Sequence, residues 1–161
     1  MGFRMLLKEY KESIYWHIRR ITVNSEDAQD ATQETFIRVF RSFGQYDRGR
    51  SFTAWLYRIA TNEALRIVEK RHPTVDVEGN AEAMSMLADE YVDFEDLEAV
   101  NLQKAILSLP RKQRLTFNLR YYDELSFSEI AEITDTTPDG AKANWHNAKI
   151  KISNYLKENN G

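Results

Sequence analysis

The sequence predicts an all-α protein: two small helical domains joined by an acidic flexible linker, the C-terminal one a helix-turn-helix. Apolar residues recur at spacings of three and four over long stretches, the period of a helix buried on one face. Only 6 Gly and 3 Pro occur among 161 residues, too few for a fold built on tight turns. The formal net charge of −3 is also unevenly spread. Residues 1–72 carry 13 Lys and Arg against 9 Asp and Glu, residues 73–100 carry none against 9, and residues 101–161 carry 9 against 7. The expected organisation is therefore a helical domain over 1–72, an acidic linker over 73–100 and a second helical domain over 101–161. A single bundle with an acidic surface loop is the alternative.

With 42% hydrophobic and 29% charged residues the chain is not disordered. The absence of Cys excludes disulfide scaffolds, thiolate metal sites and cysteine nucleophiles, and fits a cytoplasmic protein. No apolar run approaches about 18 residues, so no membrane insertion is expected.

The first helix, Met5 to Ile21, follows from Leu6, Tyr10, Ile14, Ile18 and Ile21. The second begins at Ser25, whose hydroxyl is placed to cap it, with Glu26 and Asp27 favoured by the N-terminal dipole. Its apolar stripe is Ala28, Ala31, Thr35, Val39 and Phe43, widened by Phe36 and Phe40. The opposite face carries Asp27, Asp30, Gln33, Glu34, Ile37 and Arg41. Ile37, an apolar residue among acids, suggests a contact surface. Residues 44–52 break the periodicity as a loop. A third helix, Thr53 to Lys70, buries Trp55, Leu56, Ile59, Ala60, Ala64, Ile67 and Val68, and aligns Arg58, Asn62, Arg66 and Lys70 four residues apart on one edge. With Tyr46, Arg48, Arg50 and Phe52 in the loop, this edge has the ingredients for single-stranded nucleic acid: cations for phosphates, rings for stacking, an amide for a base edge. A solvated charged face is the competing reading.

Beyond the linker, Leu102 to Leu109 is a helix ended by Pro110, and Arg111 to Tyr122 another. Ser126 and Glu129 form a capping box before a short helix through Ile130, Ala131 and Ile133. Asp135 to Thr137 supplies a turn, and Thr137 caps a longer helix with Pro138 at its first position. That helix buries Ala141, Trp145, Ala148, Ile152 and Tyr155. Short helix, turn and long helix make a helix-turn-helix, with Pro138, Asp139, Lys142, Ala143, His146 and Lys149 outward and Asn144, Asn147 and Lys151 on the flanks. A plain helical hairpin fits the same pattern.

Taken together, these segments resemble the extracytoplasmic function sigma factors of bacterial RNA polymerase. Asp27 to Arg41 looks like the family's polymerase-binding helix, and Phe52 to Asn62 is similar to its promoter-melting helix. Leu109 to Arg114 with Ser126 to Ala131 resembles the module that reads the minus-thirty-five element. The resemblance implies a non-enzymatic specificity factor with no cofactor, metal or small-molecule substrate. Its partners would be core RNA polymerase, promoter DNA and an anti-sigma factor. It also implies that the face of Asp27, Asp30, Gln33, Glu34, Ile37 and Arg41 docks on the polymerase clamp helices. The loop from Tyr46 to Phe52, with Arg58, Asn62 and Arg66, would capture a flipped base of the minus-ten strand. Thr137, Pro138, Lys142, Ala143, Asn144, His146, Asn147 and Lys149 would meet the minus-thirty-five duplex. Asn144 and Asn147 stand where members often have Arg, and Gly140 where Thr is common.

Two other classes compete. A two-module helix-turn-helix regulator that never engages polymerase leaves Asp30, Gln33, Glu34 and Ile37 without a task. A small hydrolase has one dense acidic cluster, Asp93 to Asp96 with Glu98, but it lies in the linker, and His17, His72 and His146 are scattered. The linker acids are further expected to fold back on the basic faces of both domains, most strongly in dilute buffer.

Overall fold

The computed structural model describes residues 2–73 and 97–159. Helix α1 spans Phe3–Thr22 and buries Leu6, Ile14, Ile18 and Ile21. It stops at Val23, whose φ of 62° is left-handed and whose N–H bonds the Arg19 carbonyl at 2.9 Å. A β-branched residue is strained there; burial of its side chain offsets the strain. Helix α2 spans Ser25–Ser42. Its cap is Asn24 rather than the expected Ser25: the Asn24 side chain accepts the Asp27 N–H at 3.0 Å, which puts Ser25 inside the first turn. A 3-10 turn over Phe43–Gln45 leads into the loop, and α3 spans Phe52–Arg71, capped by Ser51.

In the second half, α4 spans Leu97–Leu107 and α5 spans Arg111–Tyr121. Helix α6, Phe127–Thr134, opens with the expected capping box of Ser126 and Glu129. Asp135, left-handed at φ 56°, ends α6. Helix α7 spans Pro138–Asn159, with the Gly140 N–H donating to the Thr137 hydroxyl at 3.0 Å.

Helices α1, α2 and α3 pack on one another, and α7 packs on α4, α5 and α6. The two halves also share a core. Leu115, Leu119, Leu125, Ile130, Ala131 and Ile133 belong to the same apolar cluster as Ile14, Ile18, Leu56 and Ala60. Ala105, Ile106, Leu109, Phe117, Ala148 and Ile152 form a second cluster under α7, where Phe117 and Trp145 stack at 5.3 Å. Eight of the nine acids of residues 73–100, all but Glu98, fall in the segment 74–96, so the expected masking by the linker lies outside the described residues.

One buried polar relay stitches α1 to α3. The Thr61 hydroxyl donates to the Tyr57 carbonyl at 2.8 Å, so the His17 imidazole donates from Nε2 to Thr61 Oγ1 at 2.7 Å. Nδ1 is left buried with no partner among the described residues. Burial, helped by the Arg20 charge, lowers the His17 pKa to about 3, so the ring is neutral in the fold.

Candidate docking and nucleic-acid interfaces

The outer face of α2 meets α1 in an open, largely apolar groove of about 800 Å³. Leu7, Lys11 and Tyr15 form one wall, and Gln33, Phe36, Ile37, Phe40 and Arg41 the other. Ile37 is 42% exposed and Phe40 65%. Phe40 therefore leaves the core stripe assigned to it from its spacing and joins Ile37 at the surface. Phe43, read as part of the same stripe, is also largely exposed. Asp27, expected on this face, is instead buried, with its carboxylate bound by Arg71 at 2.8 Å and His72 at 2.7 Å. It ties the end of α3 to the start of α2. Asp30 reaches the same Arg71 at 2.8 Å, and Glu34 pairs with Arg38 at 3.5 Å. Arg38 also holds Glu63, a buried carboxylate that a helical-wheel reading passes over.

At the other end of α3, the loop is closed on itself. The Tyr46 hydroxyl donates to the Arg50 carbonyl at 2.6 Å and the Gly49 N–H to Asp47 at 2.9 Å. Tyr46, Phe52 and Trp55 form a ring cluster with centroids 5.2–5.7 Å apart. Beside them is a cavity of about 480 Å³ whose walls include Tyr46, Arg50, Trp55, Arg58, Ile59 and Asn62. Four of the expected residues, Tyr46, Arg50, Arg58 and Asn62, thus meet around one space. Phe52 stands behind them in the ring cluster, and Arg48 remains on the exposed loop. Arg66 turns away to Glu63 at 3.2 Å. Trp55, assigned to the core by its spacing, is a half-buried wall of this cavity. An aromatic residue between a ring-bearing loop and a basic edge was the signal for that role.

The same cavity is bounded by Glu132 of α6. Arg50 pairs with Glu132 at 3.4 Å; Arg58 donates to the Glu132 carbonyl at 2.9 Å and pairs with Asp135 at 2.9 Å. The Ser51 hydroxyl donates to Glu129 at 2.8 Å. Burial pushes the Glu129 carboxyl up, but hydrogen bonds from Ser51 and from the Ser126 amide and hydroxyl outweigh it and hold the group below the ordinary glutamate range. Deeper in the contact, the Tyr57 hydroxyl donates to Asp123 at 2.8 Å, and the Arg20 guanidinium lies 4.0 Å over the Tyr122 ring. Burial first, and then the Asp123 charge, push the Tyr57 hydroxyl far up.

Thr137, which caps α7, and Pro138, Lys142, Ala143, His146, Asn147 and Lys149 on the helix are exposed, while Asn144 is partly buried. The Lys149 ammonium lies 5.1 Å over Trp145. The expected outward face is one continuous strip beginning at the capped N-terminus of the helix.

The described residues thus form a two-part helical chain with a helix-turn-helix at one end and an aromatic, basic cavity at the other. Residues 6–74 match Sigma-70 region 2, and residues 99–152 match Sigma-70, region 4. The chain is 34% identical to the ECF RNA polymerase sigma factor SigW of Bacillus subtilis (strain 168), over 98% of this chain and 90% of that protein. It is 30% identical to the RNA polymerase sigma-H factor of Pseudomonas aeruginosa, over 97% of this chain and 86% of that protein. The fold is similar to that of CnrH solved in complex with the cytosolic domain of CnrY, at a TM-score of 0.74 and 18% identity over 98% of this chain and 88% of that one. It is equally similar to the sigma factor RpoE from Bartonella quintana solved with the anti-sigma factor NepR, again at 0.74 and 18%, over 98% of both chains. The chain belongs to the extracytoplasmic function sigma factors of the sigma-70 family. Among the described residues no helix is long and apolar enough to cross a membrane.

Proposed function

We propose that this sigma factor binds core RNA polymerase through the α1–α2 groove, captures an unpaired minus-ten base in the Tyr46–Asn62 cavity and reads the minus-thirty-five duplex with α7. Polymerase performs nucleotidyl transfer; this chain, acting in the cytoplasm and without catalytic chemistry of its own, selects the start site and helps open the strands. Gln33, Ile37, Phe40 and Arg41 form the docking face, with Asp30 and Glu34 at its edge. Asp27 holds the helix bearing that face in place. Arg50 and Arg58 meet phosphates, Tyr46 and Trp55 offer rings to the base, and Asn62 offers an amide to its edge. Lys142 and Lys149 neutralise duplex phosphates, and Asn144, His146 and Asn147 lie within reach of base edges. An anti-sigma protein, the kind of partner bound to the Bartonella quintana structural relative, completes the set of partners.

The observation that carries this reading is the apolar groove, which stands apart from both DNA faces and would have no use in a regulator working on DNA alone. Run-off transcription with core polymerase on a library of random promoters tests it. Selection of a defined pair of elements supports the reading; polymerase-independent binding of a single duplex operator would replace it with the regulator.

A further inference from the structure

The cavity assigned to the minus-ten base is roofed by the chain itself. On the N-terminal side lie two arginines that single-stranded DNA would need, and both are engaged: Arg50 with the Glu132 carboxylate, Arg58 with the Glu132 carbonyl and Asp135. Ser51, which caps α3, is held by Glu129. A carboxylate presents to a guanidinium the same planar pair of oxygens that a phosphate does. Glu129 and Glu132 on one edge of α6 and Asp135 at its end, spaced three apart, therefore occupy the donors along the loop and α3 as a short stretch of nucleic-acid backbone would. Glu132 also stands in the wall of the cavity assigned to the captured base.

The geometry points to α6 as a built-in competitor of the minus-ten strand: its Glu132–Asp135 edge holds the cavity shut in the free chain, and DNA gains access when the two halves part. This deepens the minus-ten reading of that cavity and rests on it. The pairs are exposed enough that each is individually weak and salt-sensitive, the right strength for a contact that must be displaced.

The test uses the full chain. Because the chain has no Cys, Glu9→Cys and Lys157→Cys, at exposed positions on α1 and α7, accept a donor and an acceptor dye. Glu132→Gln with Asp135→Asn removes the roof's charges, and Glu12→Gln with Glu26→Gln makes the same change of net charge at exposed sites away from it. The probe is a random-sequence single-stranded DNA oligonucleotide titrated at low and high salt. The roof variant should bind at least about fivefold tighter than the charge-matched control at low salt, with the gap closing as salt rises. Its energy transfer should also be lower than the control's before DNA is added. Equal affinity of the two variants, or unchanged energy transfer, overturns the proposal. Failure of the minus-ten reading looks different: the dyes separate, yet adding Asn62→Ala to the roof variant leaves its DNA affinity unchanged.

Discussion

The α1–α2 groove and the Tyr46–Asn62 cavity lie on different helices of the same N-terminal half, yet no described residue of α4 to α7 lines the first, while α6 reaches the second. The difference follows from chemistry. A cationic site is satisfied by any carboxylate held near it, and the chain has acids to spare. An apolar groove flanked by Lys11 and Arg41 is filled well only by a side-chain row of matching shape, and among the described residues α4 to α7 place none in it. On the proposed assignments, a molecule so arranged would meet polymerase with its docking groove open and its minus-ten cavity covered, so that binding would precede strand capture.

The largest effect is expected in the scaffold that the two faces share. His17 is neutral in the fold with a pKa of about 3 against an ordinary 6.5, so the unfolded chain binds more protons between those values. Stability should be intact above about pH 6.5 and fall on acidification toward pH 3, by roughly a few kcal/mol from this one group. Denaturant midpoints across that range should show a flatter profile for His17→Gln, and both faces should be lost in one transition. Separate transitions for the two faces would break the picture of a common scaffold.

Ile37→Asp with Phe40→Asp should weaken core-polymerase binding by about 2 kcal/mol, measured by titration of labelled core. Both side chains are exposed, so thermal unfolding should be unchanged. Gln33→Ala with Glu34→Ala should cost less. If neither variant alters co-purification, the groove is not the docking face.

Asn62→Ala should lower open-complex formation several-fold without affecting polymerase binding, read by permanganate reactivity of unpaired thymines. Arg58→Ala should do less, because the lost phosphate contact is partly offset by release of Glu132 and Asp135. A greater loss from Arg58→Ala than from Asn62→Ala would mean the roof contributes little.

The smallest effect is expected on α7. Lys142→Ala should weaken duplex binding about equally for all sequences by roughly 1 kcal/mol or less, whereas Asn144→Ala should change the selected minus-thirty-five sequence. Unchanged footprints for both would displace the recognition face from this strip.

How far the sequence revealed these features varied with their range along the chain. Most helix spans, the capping box and the outward strip of α7 are local and were legible from spacing, but α4, expected over Leu102 to Leu109, runs Leu97–Leu107 and begins inside the expected linker. Asp27 was not, because a helical period says which way a residue points but not that Arg71 and His72, more than 40 positions on, arrive to bury it. Tyr57 was left out of the buried set although it shares its phase with Ala60, Ala64 and Val68, and its partner Asp123 lies 66 positions on, beyond any local pattern. Phe40 was misassigned for a related reason: apolar residues on a docking face and on a core face look identical until the neighbouring helix is placed. The roof over the cavity depends on contacts between residues some 70–80 positions apart, which no local pattern encodes.

Gly140 carries a consequence for exchanging promoter specificity between sigma factors. A β-carbon there would sit 3.1 Å from the Thr137 hydroxyl that caps α7 and 3.6 Å from Thr136. Any larger residue would therefore push against the very group that accepts the Gly140 N–H. Positions 136, 137 and 140 behave as one cassette. A recognition helix transplanted from a relative with Thr at the third place of the helix would bring its own turn requirements with it. Grafts that carry the turn and helix together should keep the start of the helix seated, and grafts that carry the helix alone should unseat it.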